Sequence, residues 1–494
     1  MAKIKYVFFL FHKYDVKLIG GVDMNITPKG KQVEVMALPV KGHTVVLGTA
    51  GSGKTTIALL RAQHLACIPD GGKVLLVTFN GALVEYMCRM LGSESSRLVV
   101  ENYHKFARGY LNSRGKMPRW NGILGPEEKS CCIDQARREI ENEYPAEITL
   151  KRSKEFFVEE ITFIERFGIA NLDEYENAER IGRASANIKR EKRKWIFAVY
   201  ERYMKLREEL GRKYDWDDLA YYVFNELKCD DSKRRYNHII IDEGQDFSPM
   251  MIKSLVEAVA DEGSFTFFGD VAQQIYGSRL SWRDSGIDTK KIWRFDVNYR
   301  NPATITKFAK DITKVEYWRQ DGDMVEAAIQ IAEGPKPILV EFSNKQKETD
   351  WIVKKAIVTG RTSSTVIVCR NRSDIDYLLP IFKEYGCRAI EIDKDTPGVV
   401  DSKNIYITTY HAVKGLEFDN VFIPYLNTNK LPDTDTLLNA ESKEDVYADE
   451  IKLLYVAATR SKYGLYMSYN GELTLLFPQN SENYDFYDEE EVKI

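Results

Sequence analysis

The stretch "GTAGSGKT", residues Gly48–Thr55, spaces its glycines, lysine and threonine as G-x-x-x-x-G-K-T. Gly48, Gly51 and Gly53 let backbone N–H groups close around phosphate oxygens, and the helix start behind them adds favourable partial charge. Lys54 is then placed to reach the β and γ phosphates of ATP. The Thr55 hydroxyl is placed to hold Mg2+, and Thr56 completes the ATP-binding set. Far downstream, "HIIIDEGQDFS" pushes Asp242 and Glu243 to the end of an apolar run. One carboxylate of such a pair, Asp242, can hold Mg2+, while the other, Glu243, orients and deprotonates the attacking water. Cradle and acids together describe hydrolysis of a nucleoside triphosphate, without saying what the hydrolysis drives.

The elements that must position these groups are short apolar runs ending in polar or glycine-rich turns. "HTVVLG", "KVLLVTF", "HIIIDE" and "FTFFGD" come first; "STVIVCR", "NIYITTY", "NVFIP" and "GLYMSY" follow. Runs rich in Val and Ile without alternation suit strands covered on both faces, as in parallel sheets. Helical stretches such as "TTIALLRAQHLA" lie between them, so the pattern predicts an α/β chain with two doubly wound sheets. The segment over about residues 112–213 is strand-poor and rich in Glu, Lys and Arg, and reads as a helical insertion in the first domain. Its run Lys189–Lys194 reads as a solvated helix face, with a phosphate-contacting patch as the alternative. Residues 477–494 read as a mobile acidic tail, and Tyr6–Phe11 as a buried strand.

Composition narrows the class. A length of 494 residues exceeds one ordinary core, which argues for two domains or more. No apolar run is long enough for a membrane span, and the N-terminal segment lacks the features of a secretory signal. The formal net charge of −4 means that any nucleic-acid contact must be a local groove rather than a bulk excess. Seven scattered cysteines without a C-x-x-C pair exclude the usual zinc and iron–sulfur spacings and suit free thiols in a reducing cytoplasm.

Further segments, in order, resemble superfamily 1 helicases of the UvrD/Rep type over nearly the whole chain. "DEGQD" looks like the family's "DExxD", "GDVAQQIYG" like "GDxxQxIY", and "VNYRNPATI" like the "NYRS" segment. "TTYHAVKGLEFDNVFIP" is similar to "TxHxxKGLEF", and "DEIKLLYVAATRSK" to "LLYVAxTRA". The resemblance implies two RecA-like parallel-sheet domains, 1–300 (1A, with the insertion as 1B) and 301–476 (2A). It implies that Gln32 reads adenine, Tyr299 stacks on it, and Glu417 contacts the ribose. It further implies that Gln273 couples the γ-phosphate to the DNA groove, and that Arg300 and Arg460 bring positive charge to that phosphate from the second domain. An Arg delivered in this way stabilises transition-state charge and makes hydrolysis depend on domain closure.

Gripping a single strand without reading its sequence needs aromatic platforms and backbone contacts. Phe79, Asn80, His104, Tyr276, Trp282, Thr409 and His411 are the candidates for DNA. Trp282 is the candidate substitute for a family Trp whose position here is Ser278, with packing inside the fold as the equal alternative. The family branch implies 3′→5′ movement. The chain passes from "CRAIEIDKD" to "NIYITTY" in a few residues, so the family's 2B insertion is expected to be absent. Compact UvrD-like proteins also occur in nuclease-linked phage-defence systems such as Gabija. An ATP-gated DNA-end sensor with a partner nuclease is therefore the alternative expectation.

Overall fold

The structure, a computed structural model, describes residues 28–91, 96–118, 122–178, 188–231, 235–270, 285–289, 291–318, 333–392, 403–439, 443–479 and 481–492, with 282, 325 and 328. Gln273, Tyr276 and Tyr6–Phe11 lie outside them. The first sheet has six strands in the spatial order Leu98–Asn102, Val74–Thr78, Tyr236–Ile241, Val259–Gly269, Gly42–Gly48 and Ile292–Phe295. The second has seven: Ala389–Glu391, Ile405–Thr409, Thr365–Cys369, Phe418–Ile423, Ser461–Asn470, Ile338–Phe342 and Asp485–Asp488. Every pairing in both sheets is parallel.

Burial explains the apolar runs. All five residues of Val74–Thr78 and of Thr365–Cys369 are buried, as expected for strands with helices on both faces. Each fully buried Val, Leu or Ile contributes about 1.5–3 kcal/mol relative to exposure. The chain leaves the first sheet at Phe295 and enters the second lobe with helix Ala303–Ile312, which packs on helix Lys443–Ala458.

The insertion is helical, with helices Pro126–Glu143, Lys154–Phe167, Leu172–Asn177 and Arg193–Glu209 around a separate apolar core. It departs and returns through a two-strand stem, Ile123–Leu124 paired with Tyr214–Asp215. Beside the stem, Glu165, Asp215 and Asp217 lie close enough to share a cation. That cation is the Lys129 ammonium, 3.2 Å from Asp215 and 2.8 Å from Asp217 and also paired with Glu165.

One expectation is refined and one changes. Lys189, Arg190, Glu191 and Lys194 are exposed, as a solvated face would be, while Lys192 and Arg193 also serve the fold. Arg193 donates to the carbonyls of Tyr175, Glu176 and Ala178 at a helix end, and Lys192 pairs with Glu147 at 2.8 Å. The acidic end is not a free tail. Asp485–Asp488 adds a parallel edge strand beside Ile338–Phe342, and Glu489 accepts hydrogen bonds from Ser343 and Lys347. Phe477 and Tyr484 pack against Phe308, which supplies the apolar anchor that composition alone concealed. Among the described residues no helix is long and apolar enough to cross a membrane.

Candidate active site

The chemistry-bearing residues of the first sheet follow the carboxyl ends of its parallel strands: the phosphate loop after Gly48, Asn80 after Thr78, His104 after Asn102, Asp242 after Ile241, and Asp270 after Gly269. This is the edge at which open α/β sheets receive ligands. In the phosphate loop Gly51 and Gly53 take φ of 72° and 81°, which suits only glycine there. A Cβ on Gly53 would lie 2.8 Å from Gln32 Nε2, and one on Gly51 would lie 2.2 Å from Asn298 Oδ1. The loop is therefore enclosed from two sides. Gln32 donates to Ser52 O at 3.0 Å and accepts from the Lys29 backbone at 3.0 Å. Lys54 Nζ donates to Gly48 O and Thr49 O at 2.9 and 2.7 Å and stands 3.6 Å from Asp270.

Asp242 is fully buried, and among the described residues neither of its carboxylate oxygens has a hydrogen-bond partner of good geometry. Burial and then the Glu243 charge push it up to about 7, against the opposing pull of the Thr55 hydroxyl and Lys54. A hard divalent cation matches an all-oxygen pair of Thr55 and Asp242 and would supply the missing counter-charge. The residues present thus fit Mg2+.

Glu243 adopts φ 52°, a left-handed conformation that costs a non-glycine residue about 1–3 kcal/mol and persists where surroundings enforce it. Burial raises its pKa, but Lys54, Lys414 and Arg460 outweigh that and hold it below the ordinary value. Gln245 fixes the carboxylate by donating to it, while its own oxygen accepts from Asp270 N at 2.8 Å.

The second sheet meets this edge with the amino ends of its strands. Glu417 precedes Phe418–Ile423, and Arg460 precedes Ser461–Asn470. Arg460 is buried, donates from Nε to Val456 O at 3.0 Å, and lies in the field of Glu243, Glu417 and Asp270. Burial, and then Arg300, bring its pKa down to about 10. Arg300 pairs through Nη2 with Glu417, whereas its buried Nε and Nη1 have no hydrogen-bond partner among the described residues. Glu417 also meets Lys462 at 3.2 Å; burial alone would raise its pKa, but Arg300 and Lys462 hold it down to about 2. Tyr299 is about half exposed, and its backbone N–H donates to Gly51 O at 2.8 Å. Lys54, Glu243, Arg300, Arg460 and Glu417 thus share one seam, with Thr55, Asp242, Gln32 and Tyr299 along its first-domain side.

The proposed strand contacts divide. Phe79 and His104 sit edge to face at 5.5 Å, and His104 continues to Trp216 at 5.1 Å, forming a half-buried aromatic row. Trp216 escaped the sequence reading, although an aromatic set between acids in "YDWDDL" was a signal. Trp282, half-buried, sits edge to face with Phe267 at 4.9 Å against the apolar core of the first domain, the inward of its two expected placements. Asn80 reaches across the junction and donates to Lys414 O at 3.2 Å. Thr409 closes a turn by accepting from Ala412 N at 3.3 Å, with His411 inside that turn.

Residues 409–417 therefore run from the carboxyl end of one strand to the amino end of the next, joining crest to seam. Within them Lys414 pairs with Asp246 of the first domain, and both are buried. Asp246 is pushed up to about 6 by burial, against the pull of Lys414. A carboxyl raised by the fold favours folding at low pH and withdraws that support as pH climbs from about 4 towards its folded value. Replacing Lys414 with Met should therefore cost about 3–5 kcal/mol at about pH 8, where an unpaired buried carboxylate remains, and far less at about pH 5. Thermal melting at the two pH values checks this, and equal losses would contradict it. Adding Asp246→Asn should restore most of the loss.

The folds and seam define a two-domain RecA-like nucleotide-binding protein. The family described as UvrD/REP helicase N-terminal domain matches residues 29–291, and the UvrD-like helicase C-terminal domain matches residues 388–472. The chain belongs to the UvrD/REP helicase family. It is 28% identical over 328 residues to the ATP-dependent DNA helicase YjcD of Bacillus subtilis, covering 61% of this chain and 39% of that one. It is 21% identical to a DNA helicase of Mycoplasma pneumoniae, covering 86% and 80% of the two chains. Against the ATP-dependent DNA helicase Rep of Salmonella typhimurium the identity is 23%, over 55% of this chain and 41% of Rep.

Proposed function

We propose that the chain is an ATP-dependent DNA translocase and helicase that hydrolyses ATP in the seam and moves 3′→5′ on single-stranded DNA. The observation that carries this reading is the convergence on Glu243 of Lys54 from one lobe and Lys414 and Arg460 from the other. Lys54 and the loop N–H groups bind the phosphates, Gln32 and Tyr299 hold the base, and Glu243, oriented by Gln245, takes the proton of the attacking water. Thr55 and Asp242 would hold Mg2+, which neutralises phosphate charge when bound. Arg300 and Arg460 stabilise charge on the transferred γ-phosphoryl group, as ADP departs, only when the lobes are closed, so turnover alternates closing and opening.

Motion requires that both lobes grip the strand. Phe79, His104 and Trp216 offer stacking faces on the first lobe, and Thr409 and His411 offer polar contacts on the second. Trp216→Ala should weaken single-stranded DNA binding by about 1–3 kcal/mol, roughly fivefold to a hundredfold in Kd. Fluorescence anisotropy with a labelled oligonucleotide measures it, and unchanged affinity removes Trp216 from the platform.

The central test compares ATP hydrolysis with and without single-stranded DNA. Identical rates at saturating strand count against the motor. Polarity is read by displacement of streptavidin from a biotin at either end. Strands Ala389–Glu391 and Ile405–Thr409 pair in parallel and are separated in sequence by residues 392–404 alone, which supports the expectation that a 2B domain is absent. This favours translocation over processive unwinding, and supports as second reading an ATP-gated DNA-end sensor acting with a nuclease. Binding and closure without displacement would select the sensor.

A further inference from the structure

The two arginines of the seam are far apart in sequence, yet one buried amide network joins the segments that carry them. Asn301 is 3% exposed. Its Nδ2 donates to Thr459 O at 3.1 Å and to Ser461 O at 2.5 Å, the two carbonyls that flank Arg460. Its Oδ1 accepts from Asn298 Nδ2 at 2.8 Å. Asn298 Oδ1 in turn accepts from the backbone N–H of Arg300 at 2.9 Å and of Asn301 at 3.1 Å. Every polar atom of the Asn301 amide is therefore used: two bonds hold the residues on either side of Arg460, and the third holds Asn298, which in turn holds the Arg300 backbone.

Such a brace has a physical reason to exist. The two cations repel each other in a buried setting, and an arginine on an untethered loop would turn away from its neighbour towards water. An amide is the side chain suited to the task, since it offers two donors and an acceptor in one plane. A serine hydroxyl on the same Cβ is too short to bridge two carbonyls and Asn298 together. This segment reads "NYRN", whereas the related pattern reads "NYRS".

We propose that Asn301 is a positioning residue that locks Arg300 and Arg460 into a single unit, so that both reach the γ-phosphate together or not at all. The inference rests on the reading of the two arginines as phosphate-directed groups. It also assigns Arg300 to the motion of the second lobe, although the neighbouring Tyr299 backbone is bonded to the phosphate loop.

The test is a double-mutant cycle on the full chain with saturating single-stranded DNA. Asn301→Ala should lower kcat by about tenfold while KM for ATP moves by less than about twofold, because transition-state contacts are lost and ground-state ones are kept. In an Arg460→Ala background the same change should alter the residual rate, followed as labelled phosphate release, by less than about twofold. A loss of equal size in both backgrounds overturns the inference, as does a change confined to KM. If Arg460→Ala and Arg300→Ala each leave kcat intact, the reading of the arginines itself has failed, which is a separate outcome. Asn301→Ser supplies the same cycle if the alanine protein does not fold.

Discussion

In the Glu243→Gln protein ATP remains bound while turnover falls by about a thousandfold, the size of effect expected for losing a general base. The substitution keeps shape and the capacity to meet Gln245, so the strained backbone at this position has no new reason to relax. It removes the negative charge that raises Asp242, so the metal ligand ionises more readily and Mg2+ affinity is kept or improved. Binding is measured with a fluorescent ATP analogue and turnover by phosphate release. Full turnover would mean that another group activates the water. Loss of binding would mean that the carboxylate holds the cradle together rather than serving the reaction. Lys54→Ala gives the contrasting result, with binding and turnover lost together, since its ammonium already bridges loop carbonyls and Asp270.

The second large effect is at Arg460. Arg460→Ala should cut DNA-stimulated kcat by about a thousandfold or more, in the range found when a trans-acting arginine is removed from phosphoryl transfer. Affinity for ATP should change by less than about tenfold, because the phosphate loop and Lys54 belong to the opposite lobe. Arg460→Lys should not rescue, since one ammonium cannot replace a planar fork set by the helix end at Val456. Its removal also relieves repulsion on Arg300, so the folded protein should not lose stability in proportion to lost activity. A variant that hydrolyses ATP normally would leave the seam as a binding site without a closing mechanism.

The cradle and the acid pair were legible in the sequence because their chemistry rests on consecutive residues at the end of an apolar strand. The two sheets were legible for a similar reason, since strands buried on both faces have no alternation to misread. The helical insertion announced itself by composition. What escaped was whatever depends on distant partners. Asn301 and Thr459 are 158 positions apart, and Lys414 and Asp246 are 168 apart, so no local pattern marks either pair. Trp282 stayed undecided because a platform and a core indole have the same composition, and only spatial neighbours such as Phe267 bear on the choice. The acidic end misled in the opposite sense. Its charges suggested solvent, while alternate residues of Asp485–Asp488 and the nearby aromatics supplied enough pairing to hold an edge.

Trp216 follows immediately on the stem strand Tyr214–Asp215, through which the whole helical insertion is attached. In the proposed motor, a swing of that insertion would be a swing of the indole against His104, and the grip on a base would loosen or tighten with it. Whatever docked on the insertion, however remote from the nucleotide, would then have a crowbar on the strand.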